Sequence, residues 1–225
     1  MNKPSALPVL YSLRNCPYAI RARMAIYVSG QAVQLRDIVL SDKPAHMLQV
    51  SPKGTVPVLV LQNDKVLEQS LEIMMWAFGQ SDPNNYLMSD SPNTRAEMLS
   101  LVDLFDTEFK LRLEKYRSAK RYHDESVLEH RLACEQYLKM LELKLSQHTY
   151  LMSDSPSLAD LAILPFIRQL ARVERQWYLQ SPYPNIRKWL NDYLQSRMFS
   201  KVMSKYPMWL TEKSLIVFSA DKPLS

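Results

Sequence analysis

The stretch Asn15-Cys16-Pro17-Tyr18-Ala19 decides the fold of this chain. It follows a short apolar run at residues 9–13, which is typical of a buried strand, and it precedes a stretch without a helix breaker until Gly30. Pro17 suits the first position of a helix, because its missing N–H would have no partner there and its fixed φ matches the helix. The sequence therefore predicts a strand, a turn that ends at Cys16, and a helix.

Cys16 is the candidate nucleophile. A cysteine just before the first helical turn faces unpaired backbone N–H groups and the positive end of the helix dipole, which favours the thiolate form. A free cysteine is also often a small buried packing residue. The order of strand, Cys-Pro-aromatic and helix favours the reactive interpretation for Cys16. Cys134, in contrast, lies within an apolar stripe of a later helix and is predicted to be structural.

Composition restricts the class of protein. With 225 residues, 47% of them hydrophobic, the chain can bury a real core, and no segment approaches the roughly 18 apolar residues of a membrane span. Two cysteines and no pattern of a signal peptide predict a cytoplasmic protein without a disulfide framework. The net charge of +5 is spread among acids, and its densest cluster, residues 117–121, lacks a nucleic-acid-reading motif. A nucleic-acid partner is therefore not expected.

The first 80 residues alternate between strand and helix patterns in the order βαβαββα. Residues 33–40 alternate as a strand does, and residues 55–61 form a β-branched run interrupted by Pro57. Because a proline inside a strand deletes a ladder hydrogen bond, Pro57 must lie at the start or edge of its strand. A turn at Asn63-Asp64 leads into a hairpin partner, and Ser70 is expected to cap the next helix, from Leu71 to Phe78. We expect an α/β domain at residues 1–80.

Residues 81–92 are rich in turn formers and predict a linker, and residues 93–225 predict an all-helical domain. Apolar residues then recur at steps of three and four, as on one face of a long helix from Met98 to Tyr116. Ser157-Leu158-Ala159-Asp160 has the form of a capping box at another helix start. Residues 214–218 form an apolar tail segment with no predicted conformation.

Five motifs together resemble one family along nearly the whole chain. In this order and spacing the chain resembles the soluble glutathione transferases, which join a thioredoxin-like domain to a helical bundle. The Cys-Pro-aromatic-Ala motif resembles their omega-type, glutaredoxin-related branch. The motifs are Cys16-Pro17-Tyr18-Ala19, Lys53-Gly54-Thr55-Val56-Pro57, Gln69-Ser70, Ser157-Leu158-Ala159-Asp160 and Tyr183-Pro184-Asn185-Ile186-Arg187-Lys188-Trp189-Leu190.

The resemblance implies a glutathione site in the first domain. It implies a cis bond between Val56 and Pro57 beside the active cysteine, with the Val56 backbone pairing with the peptide part of glutathione. Gln69 and Ser70, at a helix start, would hold the γ-glutamyl carboxylate, a use that suits a helix N-terminus. Lys43 matches a lysine that reaches the glycyl carboxylate, although a solvated surface lysine is the alternative.

The implied activity is glutathione-dependent thiol transfer through Cys16 alone, because Ala19 stands where a dithiol enzyme has its second cysteine. Glutathione conjugation to electrophiles and a non-catalytic binding protein of the same fold remain alternatives. The resemblance also implies a homodimer and a small hydrophobic or disulfide second substrate, and the four histidines show no metal spacing. The candidate wall of the second-substrate pocket consists of Tyr18, Phe105, Phe109, Tyr116, Phe166 and Trp209.

Overall fold

A computed structural model describes residues 7–220 of the chain. These residues form two compact units: unit 1 contains the residues up to Pro83 together with those from Ser196 onward, and unit 2 contains Asn84–Gln195. The prediction placed everything from residue 93 to 225 in the helical domain. The contacts instead place residues 196–220 in unit 1, because residues 216–218 of that segment pair with its sheet and the helix at residues 197–202 packs against it. Residues 221–225 of the predicted tail lie outside the described residues.

Unit 1 contains the predicted thioredoxin-like order of elements. Strand β1 pairs parallel to β2 and antiparallel to β3, and β3 pairs antiparallel to β4. The prediction of an N-terminal βαβαββα domain is therefore confirmed. Its elements are β1 (Val9–Ser12), α1 (Pro17–Val28), β2 (Val33–Asp37), α2 (Ala45–Val50), β3 (Val58–Val60), β4 (Val66–Leu67) and α3 (Ser70–Gln80).

The C-terminal segment completes the sheet of unit 1. After α10 (Arg197–Val202) and α11 (Trp209–Glu212), strand β5 (Ile216–Phe218) pairs antiparallel to β2, so the strand order is β4-β3-β1-β2-β5. Pairing with β5 covers an edge of β2 that would otherwise expose unpaired backbone groups. Phe218 is fully buried, so the apolar tail segment belongs to the core of the α/β unit.

A buried arginine ties three parts of unit 1 together. The Arg23 side chain on α1 donates hydrogen bonds to Ser12 Oγ and to the backbone oxygens of Leu13 (3.4 Å), Arg14 (2.7 Å) and Val202 (3.1 Å). Ser12 ends β1, Leu13 and Arg14 lie between β1 and α1, and Val202 ends α10. One guanidinium therefore holds the turn that precedes Cys16 and attaches the C-terminal segment to it.

Asp37 accompanies Arg23 in the interior. Burial lowers the pKa of Arg23 to about 10, an effect that the Asp37 carboxylate opposes. Burial also raises the pKa of Asp37, against the opposing effects of Arg23 and of backbone N–H bonds from Arg14 and Ile38. Arg23 therefore stays charged at neutral pH, and its charge is stabilised by an acidic neighbour and by bonded carbonyl groups.

Unit 2 is helical, and the predicted long helix is interrupted once. A single π-helical turn at Phe105–Phe109 lies between α4 and α5. It brings Phe105 and Phe109 together, with ring centroids 4.7 Å apart, and both pack against Tyr137. The helices are α4 (Pro92–Leu104), α5 (Lys110–Tyr122), α6 (Val127–Gln147), α7 (Leu158–Ala171), α8 (Arg175–Gln180) and α9 (Pro184–Gln195).

The apolar stripe of α4 and α5 is used inside unit 2. Met98, Val102, Leu113 and Tyr116 are at most 1% exposed. These side chains form the core of the unit, so they do not supply a surface for the homodimer that the resemblance implies. Among the described residues, no helix has the length and apolar character needed to cross a membrane.

The predicted capping box at the start of α7 forms around a fully buried carboxylate. Asp160 accepts hydrogen bonds from the backbone N–H groups of Leu151 (3.0 Å) and Ser157 (2.9 Å), from the Ser157 hydroxyl (2.7 Å) and from Trp189 Nε1 (2.9 Å). Burial raises the pKa of Asp160, and these donors oppose the shift. Asp160 thus joins the start of α7, the loop before it and α9.

Replacing Asp160 with alanine should destabilise unit 2 strongly. Asp160→Ala leaves three buried N–H donors without an acceptor, and each costs about 1–3 kcal/mol, so we expect a loss of at least about 3 kcal/mol. Urea denaturation followed by tryptophan fluorescence measures this loss. Asp154→Ala is the matched control, because the Asp154 side chain is 76% exposed. Equal losses in the two variants would contradict the role of Asp160.

Candidate functional site

Cys16 lies where the sequence predicts it, at the N-cap of α1 with Pro17 at the first helical position. Its backbone N–H donates to Leu13 O (3.1 Å), and its carbonyl oxygen accepts from Ile20 N (2.9 Å). These two bonds fix the backbone on both sides of the thiol. The residue is only partly buried, in contrast to Cys134.

The strand-edge loop before β3 faces this cysteine. Val56-Pro57 is a cis peptide bond, as expected, and the Cys16 thiol points to the carbonyl oxygen of Val56 at an Sγ–O distance of 3.8 Å. Cys16 and Val56 also belong to one apolar cluster, together with Tyr11. The structure therefore places the predicted nucleophile directly beside the predicted backbone contact for a peptide.

The N-terminus of α3 supplies the third part of the site. Gln69 is the N-cap and is exposed, while Ser70 is the first helical residue and is 3% exposed. The Gln69 N–H donates to the Glu72 carboxylate (3.2 Å). The Ser70 hydroxyl accepts a hydrogen bond from Arg21 Nε (2.8 Å), and Arg21 is itself buried on α1. Ser70 is thus linked to the helix that begins at Cys16.

The sequence interpretation missed Arg21 and Arg23, although a signal was present. Both arginines stand in a helix whose other residues from Ala19 to Ile26 are apolar. A helix without another polar face buries any charge it carries, and buried charges are almost always paired or hydrogen bonded. Two such arginines therefore indicate buried acceptors elsewhere in the unit, but the pattern does not say which acceptors these are.

Lys43 lies against the loop that leads to Val56. Gly54 has a φ of +61°, which favours glycine, and a side chain there would meet Lys43, since an added Cβ would lie 3.1 Å from Lys43 Nζ. The loop is further held by Glu68, which accepts from the Ser51 hydroxyl (2.6 Å) and pairs with Lys53 (3.6 Å). The Lys43 ammonium therefore lies next to Gly54, which precedes Val56 by two residues.

The predicted wall of the second-substrate pocket does not form in the way the sequence suggests. Phe105, Phe109, Tyr116 and Phe166 are at most 1% exposed, so they lie in the core of unit 2. Helical spacing does not separate the two roles, because residues that face a core and residues that line a pocket recur with the same period. Tyr116 illustrates the point, since its hydroxyl donates to Glu174 (2.8 Å) within the same unit.

The two remaining candidates for that wall belong to unit 1. The Arg21 guanidinium lies over the Tyr18 ring, 5.0 Å from the ring centroid. The Arg36 guanidinium lies over the Trp209 ring at 4.2 Å. Both aromatic rings are partly buried and pack against cations, so neither is a free apolar surface.

The sequence interpretation also missed a polar network beside the apolar cluster that contains Cys16. The Tyr11 hydroxyl accepts from Arg36 Nη1 (2.6 Å) and lies 2.7 Å from His46 Nδ1. Burial raises the pKa of Tyr11, although Arg36 opposes the shift, so the phenol stays neutral. Its hydroxyl is occupied by these partners. Within residues 7–220, no group of three or more His, Cys, Asp or Glu side chains is arranged to hold a metal ion.

Comparison with known proteins identifies relatives for both units. Residues 10–85 match the family model "Glutathione S-transferase, N-terminal domain", and residues 104–196 match "Glutathione S-transferase, C-terminal domain". Glutathione S-transferase omega-1 of Mus musculus is 29% identical over 182 residues, which cover 80% of this chain and 74% of the mouse protein.

Solved structures share the fold at lower identity. A glutathione S-transferase from the Antarctic clam Laternula elliptica superposes with a TM-score of 0.77 at 19% identity, covering 88% of this chain and 92% of the clam chain. The glutathione transferase URE2P6 from Phanerochaete chrysosporium, solved in complex with oxidized glutathione, superposes with a TM-score of 0.75 at 18% identity, covering 88% and 94% of the two chains.

The two cysteines should differ sharply in reactivity. Cys134 is fully buried, and burial raises its pKa to about 12, whereas Cys16 is partly exposed at a helix N-terminus. We expect iodoacetamide at neutral pH to modify one thiol in the native protein and two after denaturation. Peptide mass spectrometry identifies the sites, and Cys16→Ser should abolish the native labelling. Native labelling of Cys134 at a similar rate would contradict this assignment.

Proposed function

Because the chain belongs to the soluble glutathione S-transferase superfamily, we propose that it is an omega-like thiol transferase that uses glutathione as co-substrate. One observation carries this proposal: the amino acid at the N-cap of α1, beside the Val56-Pro57 loop, is a cysteine. A thiolate in this position can exchange with a disulfide, which a hydroxyl cannot do.

The proposed glutathione site uses groups from three loops of unit 1. The backbone of Val56, at the edge before β3 and beside Pro57, pairs with the peptide part of glutathione. Gln69 and Ser70 bind the γ-glutamyl carboxylate at the N-terminus of α3, where backbone N–H groups and the helix dipole favour an anion. Lys43, next to Gly54, contacts the glycyl carboxylate.

The proposed reaction proceeds by two thiol–disulfide exchanges. The Cys16 thiolate attacks the glutathionyl sulfur of a mixed disulfide, so a bond forms between Cys16 Sγ and glutathione while the substrate leaves as a thiolate and takes up a proton. A second glutathione thiolate then attacks the same glutathionyl sulfur. This step produces oxidised glutathione and restores Cys16. In the balanced cycle, one glutathionylated substrate and one reduced glutathione give the free substrate thiol and oxidised glutathione.

The chain's other cysteine does not serve this cycle as a second thiol. Ala19 occupies the position three residues after Cys16, and Cys134 is fully buried in unit 2. Cys16 therefore works as a single thiol. This feature also argues against conjugation of electrophiles as the main activity, because a cysteine at this point forms a disulfide with glutathione instead of only activating it.

The remaining parts of the proposal concern partners and location. We place the protein in the cytoplasm as a homodimer that accepts small hydrophobic or disulfide substrates. The reducing compartment agrees with the two unpaired cysteines, Cys16 and Cys134. The dimer rests on the family alone, since the stripe from Met98 onward packs inside unit 2.

Cys16→Ser should remove nearly all reduction of glutathionylated substrates, by at least about 100-fold, because a serine hydroxyl does not exchange with disulfides. Binding of reduced glutathione should persist, since Val56, Gln69 and Ser70 anchor it. A coupled assay with a glutathionylated peptide measures the first effect, and calorimetry measures the second. Cys134→Ser is the matched control and should keep full activity. A Cys16→Ser variant that still reduces the peptide would make the conjugating or non-catalytic alternative the better explanation.

A further prediction concerns the groups that bind the γ-glutamyl carboxylate. Gln69→Ala with Ser70→Ala removes hydrogen bonds to a charged group, each contributing about 1.5–3 kcal/mol, so glutathione should bind at least tenfold more weakly. The chain offers a matched control, because Gln80 and Ser81 repeat the same residue pair, exposed, at the other end of α3. Gln80→Ala with Ser81→Ala should leave calorimetric affinity unchanged. Equal affinities in all three proteins would place the ligand elsewhere.

A further inference from the structure

The Arg21–Ser70 hydrogen bond connects two helices that converge at the proposed ligand site. Arg21 lies on α1, one turn after Cys16, and Ser70 is the first residue of α3. The two residues are 49 positions apart in the sequence, and both side chains are 3% exposed. The Nε–Oγ distance of 2.8 Å is that of a well-formed hydrogen bond.

The chemistry of the two groups determines the direction of the bond. A guanidinium only donates hydrogen bonds, whereas a serine hydroxyl has one proton to donate and two lone pairs that accept. The Ser70 oxygen is therefore the acceptor toward Arg21, and its proton is directed elsewhere. A serine in this state presents a donor. A carboxylate accepts such a donor and gives a charge-assisted hydrogen bond.

We propose that Arg21 is a positioning residue that holds the Ser70 hydroxyl as a donor for the α-carboxylate of the γ-glutamyl group of the ligand. This inference rests on the proposed function, since it concerns the same glutathione site. It extends that function by assigning to a buried arginine, which does not itself contact the ligand in this scheme, part of the selectivity for a carboxylate. A neutral group at the same position of the ligand would gain little from the oriented proton.

The scheme also explains why the residue is an arginine. A neutral amide at position 21 could either donate to Ser70 or accept from it, so the Ser70 proton could turn toward the protein. A lysine, like arginine, only donates. We therefore expect the affinity for glutathione to be highest with arginine at position 21, slightly lower with lysine and lowest with glutamine.

A double-mutant cycle tests whether Arg21 acts through Ser70. Calorimetric titration with reduced glutathione, in the presence of a non-thiol reductant, gives the dissociation constant of each protein. We expect Arg21→Gln and Ser70→Ala each to weaken binding about tenfold, and the double variant to match Ser70→Ala within about twofold. Arg21→Lys should stay within about threefold of the parent. Circular dichroism and the thermal midpoint show that each variant is folded.

A ligand analogue separates positioning from a general structural effect. In 4-aminobutanoyl-cysteinylglycine the α-carboxylate of glutathione is replaced by hydrogen. The parent should bind this analogue more weakly than glutathione, and Arg21→Gln should not weaken its binding further. A structural defect would reduce binding of both ligands. If Arg21→Gln does not fold, Arg21→Met takes its place in the cycle and with the two ligands, because methionine removes the donor and adds no buried polar group to this apolar helix.

The outcomes distinguish the inference from the function on which it depends. A parent protein that does not bind reduced glutathione overturns both the proposed function and the role of Arg21. If the parent binds glutathione, a double variant about 100-fold weaker than the parent overturns the inference alone, because the two effects are then independent. Unchanged affinity in Arg21→Gln, or an equal loss for the analogue, also overturns it.

Discussion

The buried guanidinium of Arg23 is the interaction on which the rest of unit 1 depends. A charge inside a protein is tolerated only when its hydrogen-bonding groups are satisfied and an opposite charge is near. Arg23 meets this requirement with acceptors from the turn before Cys16, a carbonyl at the end of α10 and the neighbouring Asp37. Movement of the turn backbone would therefore deprive a buried cation of two of its carbonyl acceptors. Cys16 is thus held in place by Arg23, which lies two helical turns further along α1.

Helix α1 organises the site because it carries all of these connections on one rigid element. Its N-cap presents the thiol, Arg21 extends to Ser70 at the start of α3, and Arg23 fixes the turn. In the proposed site, the thiol and the N-terminus of α3 must keep a constant separation to bind one tripeptide in a reactive position. Side chains that are buried and bonded on the same helix maintain that separation, because their rotamers are fixed by packing.

Unit 2 uses carboxylates in a related way, to satisfy the ends of helices. Asp160 accepts from four donors in all: one in the loop before α7, two at the start of α7 and one on α9. Glu142 on α6 accepts from the backbone N–H groups of Asn185 (3.0 Å) and Ile186 (3.0 Å) at the start of α9. The first N–H groups of a helix have no partner within it, so an acidic side chain from another element both caps the helix and fixes its position. The aromatic cluster of Phe105, Phe109 and Tyr137 fills the space between the helices.

The sequence by itself determined the elements of unit 1 from β1 to α3, the N-cap position of Cys16, the place of Pro57 before its strand and the capping box at Asp160. Each of these follows from local rules: residue period, the geometry of proline, or a donor and acceptor three residues apart. The tertiary structure alone decided what distant residues do. It paired 216–218 with β2, buried Phe105 and Phe109 in a core instead of a pocket wall, and joined Arg21 to Ser70. A helical stripe has the same period whether it faces a core or a ligand, and a buried arginine gives no indication of its acceptor. The role of the stripe and the identity of the acceptor both depend on which surfaces the folded chain brings together.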